Sequence, residues 1–557
     1  MILLTLIYAL AGLFGRDPWK NDDALGIGVM WTMVKGSWID WLLPHLAGRE
    51  DIMGPPLPYW LGASSIWLFG DIIGPTNAAR LITALCFIGS AAAIWYATYL
   101  LGRRSEVQPM EFALGGQPNP REYGRTLADG ALLIFLACVG LAQRAHEASP
   151  MLMELFGLST VLYGVVRGLD KPWQGGLLTG LGLAIVSLSG MLWGAVFLGA
   201  AILITFLICQ TKIQWRWLLS AMGILVLGLM IWPLLWKLSS LPASVIQKAS
   251  YVWWGREELQ SHPSLTALHF FSVNFWLYAW PVWPLSAWGF YHWGRTGLKN
   301  WTAPHLMIPA VIFLGELTFL LFIQDLSERY LITLIPPLAI LAAFSIPFLK
   351  RSFISFIDWL AMISFTILAG FIWVIWFAKM TGFPKVTANN VARYIPGYVA
   401  KFSLTELIIA LVVTGLWIAI VKWRVSRAPK EIWRCVVISA AGTTLMWVLL
   451  MTLWLPTIDY AKTYRHVANR FTAAIPDKNE CVDSSLLGDA QLASFIYFTN
   501  IKLEDNPNCG LLLTHSSKEA KQSARENRQI LQLIWEDRRD SDPDERLKLY
   551  RVSPRNK

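Results

Sequence analysis

The sequence runs to 557 residues, yet 55% of them are hydrophobic, only 15% are charged and the mean hydropathy is +0.46. That balance excludes an ordinary water-soluble chain and points to a polytopic α-helical membrane protein, with apolar runs long enough to span a bilayer along most of its length. The net charge of +10 does not mark a nucleic-acid binder, because the Lys and Arg residues sit mostly in short loops between apolar runs, where they set orientation.

The first apolar run, residues 1–15, lacks the basic flank and cleavage site of a signal peptide and reads as a short first transmembrane helix. Basic clusters follow at Arg103-Arg104 with Arg121 and Arg125, Arg167 with Lys171, Lys212 with Arg216, Arg295 with Lys299, Lys350-Arg351, and Lys422 through Arg434. Placing them all in the cytoplasm predicts further spans at 78–102, 127–144, 149–166, 175–190, 191–210, 217–236, 274–292, 305–324, 331–349, 357–378, 404–421 and 436–455. The total is roughly thirteen transmembrane helices, with the N-terminus inside and the C-terminal tail outside. Counting the apolar stretch 58–69 as a full span would invert every later loop, so it reads as interfacial or re-entrant. Thirty tryptophans fit the same class, since amphipathic rings gather at the membrane interface.

The transmembrane domain thus covers 1–455, with external loops at 16–77, 144–150, 237–273 and 324–331. From 456 to 557 the composition becomes that of a small soluble α/β domain, with candidate strands at 510–515 and 547–552. Cys86, Cys138 and Cys209 lie in apolar runs and Cys435 at the edge of one. Cys481 and Cys509 lie in the tail, and an oxidising compartment would join them in a disulfide.

The external loops hold the titratable side chains. Asp22 and Asp23 follow the first span directly; an aspartate there is commonly a solvated residue or helix cap. At a water-filled mouth between helices it is also a general base for an acceptor hydroxyl. Asp17 competes for that role, and His146 with Glu147, in the second external loop, would position or tune the base. Arg80, Arg256 and Arg329 lie on the external side near apolar segments. Each either snorkels to headgroups or faces a lipid-linked phosphate, whose oxygens match the guanidinium fork; Tyr330 would add a hydrogen bond. Glu50, Asp51, His262 and His269 are donors of the type that holds a divalent cation. No His-x-x-x-His or Cys-x-x-Cys spacing supports them, so no cofactor is assigned beyond an open divalent metal ion. The absence of Walker and GxSxG motifs gives ATP-driven and serine-hydrolase chemistry no support.

The order of these motifs resembles the GT-C superfamily of membrane glycosyltransferases, in the group of protein O-mannosyltransferases and lipid A aminoarabinose transferases. Asp22-Asp23, Lys35-Gly36-Ser37-Trp38 and Pro55-Pro56-Leu57-Pro58-Tyr59-Trp60 resemble its first external loop. Asn77-Ala78-Ala79-Arg80-Leu81 and Arg329-Tyr330 through Pro336-Pro337 resemble later elements. Asp23 replaces the usual Glu, Gly54 stands where a Lys usually precedes the double proline, and Met53 where some members carry an acidic metal ligand. Leu188-Ser189-Gly190 is similar to a Ser-Lys-Gly element without its Lys.

The resemblance implies inverting transfer of a sugar from an undecaprenyl-phosphate donor to lipid A, another glycan or protein. It also implies a bacterial inner membrane, a periplasmic site and Asp22 as base. A non-catalytic lipid or glycan transporter or flippase is the alternative, although no paired halves are visible; a structural assembly factor is the third reading.

Overall fold

The structure is a computed structural model that describes residues 1–109, 119–209, 214–255, 259–295, 302–425, 434–475, 477, 479–527, 529–542 and 544–554. Helix occupies each of the expected span positions. Eight described helices are long and apolar enough to cross a membrane. They are Pro75–Gly102, Pro150–Gly168, Trp215–Leu238, Pro304–Leu321, Glu328–Phe348, Ser352–Thr381, Leu404–Val425 and Val436–Leu453. The other expected spans are shorter, as in Ile2–Leu10, Pro120–Leu136 and Leu192–Ile208, or less apolar, as in Pro172–Ser189. The chain is a multi-pass helical membrane protein with a small C-terminal sheet domain.

Two expected spans are corrected, and for one reason. The run 274–292 is divided into Leu265–Tyr278 and Val282–Arg295, because Pro281 has no N–H to continue a helix. At this break the carbonyls of Tyr278 and Trp280 accept from the N–H groups of Gly140 (2.9 Å) and Val139 (3.0 Å). Those amides are thereby withdrawn from a helix, so the run 127–144 ends at Leu136 and resumes only as the turn Leu141–Arg144.

The stretch expected to be interfacial or re-entrant is a helix, Leu57–Ile73. At ~1.5 Å per residue its 17 residues fall short of a hydrocarbon core of ~30 Å. It packs Tyr59, Ala63 and Ile66 inward and leaves Trp67, Leu68 and Ile72 exposed. Gly74, at φ +87°, turns the chain directly into Pro75–Gly102. That helix carries Arg80 near its start and is followed by Arg103, so ~1.5 Å per residue places these two about 35 Å apart. Arg103 pairs with Asp170 at 3.0 Å on the far side from Arg80.

The tail begins with the helices Leu455–Lys462 and Arg465–Ala474 and builds a five-stranded sheet from β1 (Val482–Asp483), β2 (Leu503–Glu504), β3 (Leu511–Thr514), β4 (Gln529–Arg538) and β5 (Arg546–Pro554). The order is β2-β1-β3-β5-β4, parallel on both sides of β1 and antiparallel on both sides of β5. Both candidate strands are present, and Cys481 and Cys509 form the expected disulfide. The tail is packed against the helix Asp22–Lys35: Ile27, Met30 and Met33 share one apolar core with Tyr464, Leu492 and Phe495. Gly28 abuts Ala493 so closely that a Cβ would overlap it.

Candidate active site

The helix Asp22–Lys35 starts at Asn21, a non-glycine residue at φ +78°. This abrupt start aims the two aspartates of its first turn in different directions. Asp23 points inward and is wholly buried. Its Oδ2 accepts from Arg80 Nη2 (2.7 Å), Arg16 Nη1 (3.0 Å) and the Trp19 N–H (3.0 Å), and its Oδ1 from the Ala148 N–H (2.8 Å). Burial opposes its charge, yet the two guanidinium groups outweigh burial and hold the carboxyl well below the usual carboxylate range. Arg80 is equally buried and donates also to the carbonyls of Arg16 (2.9 Å) and Asp17 (2.8 Å). Arg16 reaches the His146 carbonyl (2.7 Å) and covers the Trp19 ring at 3.9 Å.

Asp22 points the other way, into a cavity of about 190 Å³. Arg144 Nη1 donates to its Oδ2 at 2.9 Å and Arg329 Nη1 to its Oδ1 at 3.1 Å. The same Arg144 nitrogen reaches Glu147 Oε2 at 2.9 Å, and Arg144 Nη2 lies 3.8 Å from Glu328. Arg329 lies over the Tyr330 ring at 4.9 Å and donates to its hydroxyl at 3.2 Å. Arg329 and Tyr330 reach the cavity because Glu328–Leu334 is a tight 3₁₀ turn at the head of the helix Ile335–Ser345. The lining also includes Met53, Gly54, Pro55, Tyr59, Glu154, Ser189 and Gly190. The three positions that lack the expected lysines or acid, Met53, Gly54 and Ser189, therefore do meet around this cavity.

Several expectations are corrected by this geometry. Asp23 is a structural anion beneath the cavity, sealed from any substrate. Arg80 spends its donors on Asp23 and two carbonyls and faces no phosphate site. Asp17 is turned to the tail, held by Arg465 and by Thr463 Oγ1 (2.8 Å). His146 is buried between the carbonyls of Tyr8 and Ala142, each 2.7 Å from a ring nitrogen, and stacks on Trp447 with centroids 4.5 Å apart. Burial pulls its pKa down to about 4, against those two carbonyls. Glu147 does not line the cavity but orients Arg144, and burial raises its carboxyl above the usual value. Arg256 lies outside the described residues. Glu50, Asp51, His262 and His269 are all exposed, and they do not converge. Among the described residues, the one cluster of three metal-type ligands is Cys481, Glu504 and Cys509, two of which are the disulfide. Those four donors therefore do not fit a metal ion as a set.

Sequence reasoning missed Arg144 as the bridge and Glu154 as a cavity acid. Glu154 had a signal: a lone carboxylate in an apolar run is costly unless it faces a cavity.

No protein-family model matches the chain. Over 103 residues it is 32% identical to the undecaprenyl phosphate-alpha-4-amino-4-deoxy-L-arabinose arabinosyl transferase of Serratia proteamaculans (strain 568). Over 102 residues it is 29% identical to the protein of the same description from Edwardsiella ictaluri (strain 93-146). Each match spans 18% of this chain and only 18% of the length of that curated relative. Among solved structures, ArnT from Cupriavidus metallidurans in the apo state superposes with a TM-score of 0.62 at 13% identity, over 99% of this chain and 96% of that one. The same protein bound to undecaprenyl phosphate gives 0.62 at 14% identity, with the same coverage. From its first helix through its tail, this chain has the fold of ArnT, the GT-C architecture that its motifs resemble.

Proposed function

We propose that this chain is an inverting glycosyltransferase that takes a sugar from a polyprenyl-phosphate donor. The acceptor is a hydroxyl or phosphate on lipid A, another glycan or a protein, at the periplasmic face of a bacterial inner membrane. The observation that carries the reading is the placement of Asp22, held between Arg144 and Arg329 in a cavity of a fold shared with a protein solved with undecaprenyl phosphate.

The chemistry follows from these three side chains. A donor phosphate competes with Asp22 for the two guanidinium groups, because a phosphate offers more acceptor oxygens and more charge. Its arrival releases Asp22. A hydroxyl acceptor then gives its proton to the Asp22 carboxylate as its oxygen forms a bond to the anomeric carbon. The bond from that carbon to the phosphate oxygen breaks on the opposite face, and polyprenyl phosphate leaves with the electron pair. Arg144, Arg329 and the Tyr330 hydroxyl balance the charge that develops there. A phosphate acceptor arrives largely ionised at neutral pH and needs the base less.

The test is transfer of radiolabelled sugar from extracted polyprenyl-phosphate donors to membrane acceptors, in wild type and Asp22→Asn. Label on an acceptor that disappears in the variant supports the reading and identifies the acceptor. Equal transfer by both removes Asp22 as base. Donor binding without transfer in either protein favours the transporter.

A further inference from the structure

We infer that the C-terminal domain positions one wall of the Asp22 cavity, and that Arg49 is the positioning residue through which it does so. Residues 44–53 double back on themselves. The Met53 N–H donates to the Pro44 carbonyl at 2.8 Å, His45 and Ile52 form an antiparallel bridge, and the Arg49 N–H closes the tip on Leu46 at 3.0 Å. One end of this hairpin is the cavity wall itself, at Ile52, Met53, Gly54 and Pro55.

The other end is inserted into the tail. The Gly48 carbonyl accepts from the Asp505 N–H at 2.8 Å. Gly48 adopts φ +80°, and a Cβ there would overlap the Leu503 carbonyl, so both conformation and space demand glycine. The Arg49 guanidinium donates to the carbonyls of Leu487 (2.5 Å) and Ser484 (3.4 Å) and pairs with the Asp489 carboxylate. The guanidinium carries enough donors, in a fixed fork, to serve all three acceptors at once. The disulfide between Cys481 and Cys509 closes the segment that contains all of these partners.

Between tip and wall stand only Glu50 and Asp51, both exposed. Among the described residues, Glu50 has one ion pair, 3.8 Å to Lys248. The hairpin is also held along its sides: the Ala47 N–H donates to Thr32 Oγ1 at 3.2 Å, His45 Nε2 lies 3.2 Å from Asp40, Leu46 is buried in the core shared with the tail, and Ile52 packs against the cluster of Trp232, Trp236 and Trp253. The tip is where the tail holds this hairpin by polar contacts, so the wall takes part of its position from the tail.

The experiment uses the full-length protein and compares wild type with Arg49→Met, Arg49→Lys and Asp489→Asn. It reads hydrogen exchange at the Met53 amide, exchange at Leu511 to Leu513 in the tail sheet, and transfer kinetics. The expected result for Arg49→Met is faster exchange at Met53 with the sheet unchanged, and a fall in kcat/KM of roughly tenfold to a hundredfold, the scale on which misplaced groups act. Arg49→Lys and Asp489→Asn fall between. Unchanged exchange at Met53 overturns the inference. So does exchange that rises equally in the sheet, because Arg49 then only holds the tail together. The kinetic arm rests on the transferase reading and the exchange arm does not, so a wild type without transfer activity leaves the positioning claim decided by exchange alone.

Discussion

Asp22 and Asp23 occupy successive positions in one helical turn, yet Asp22 meets Arg144 and Arg329 in the cavity while Asp23 is sealed beneath it against Arg16 and Arg80. Adjacent residues in a first turn point roughly 100° apart, which here separates a cavity-facing carboxylate from a buried structural one. Asp22→Asn is expected to lose transfer and retain wild-type melting. Asp23→Asn leaves two buried guanidinium groups short of their counter-ion and is expected to lose roughly 3–5 kcal/mol of stability. Expression yield, thermal melting and transfer, measured on both variants, separate these outcomes.

Arg329 and Arg80 divide in the same way. Replacing Arg329 by Gln removes a charged hydrogen-bond donor worth roughly 1.5–3 kcal/mol, so donor affinity is expected to fall about tenfold to a hundredfold with the fold intact. Arg80→Gln is expected to abolish folded protein instead. Binding of a polyprenyl phosphate to each purified variant checks both.

Acid stability tests His146. Its folded pKa of about 4 lies below the unfolded value of 6.5. The unfolded chain therefore takes up the proton first as pH falls, and the stability that His146 contributes is full above about 6.5 and lost by about 4. Melting curves across that window are expected to fall by a few kcal/mol. His146→Gln flattens the slope in the same window.

Gly190 faces Glu154 so closely that a Cβ would overlap the carboxylate. The obstacle is the end of a flexible side chain, so Gly190→Ala is expected to change stability by less than about 1 kcal/mol. The Glu154 carboxylate must move within the cavity, and an altered KM for the donor is the expected readout. Gly182→Ala, whose Cβ would meet the Gly157 carbonyl in the backbone of a neighbouring helix, is expected to lower the melting point instead.

The disulfide makes a prediction for the tail. Closing a separation of 28 residues restricts the unfolded chain by about 3–4 kcal/mol. Reductant is expected to lower the melting transition of the tail by that order, and Cys481→Ser with Cys509→Ser to reproduce it without reductant.

The membrane class, most span positions, two of the five strands and the disulfide pair were legible because each depends on local pattern: apolar length, basic loops, short apolar runs in a polar tail and cysteine count. The cavity was half legible. Asp22, Arg329, Tyr330 and the double proline announced themselves through motif order. The division between Asp22 and Asp23 did not, because it depends on Asn21 starting the helix at a positive φ and on the distant partners Arg80, Arg144 and Arg329. Arg80 misled for the same reason: a buried guanidinium reads alike whether it awaits a phosphate or already holds a carboxylate. The break at Ala279 to Pro281 was concealed by hydrophobicity that runs through it.

The pairing of Lys20 with Glu545 at 3.1 Å joins the segment just before the helix Asp22–Lys35 to the tail. During synthesis every membrane helix is made before the residues that receive Arg49 and Lys20 exist. The hairpin 44–53 thus lacks its tip contacts until the tail has folded around its disulfide. Seating of the hairpin becomes a report on a folded tail: a chain whose tail is not yet made holds the membrane helices without the contacts of Arg49 and Lys20.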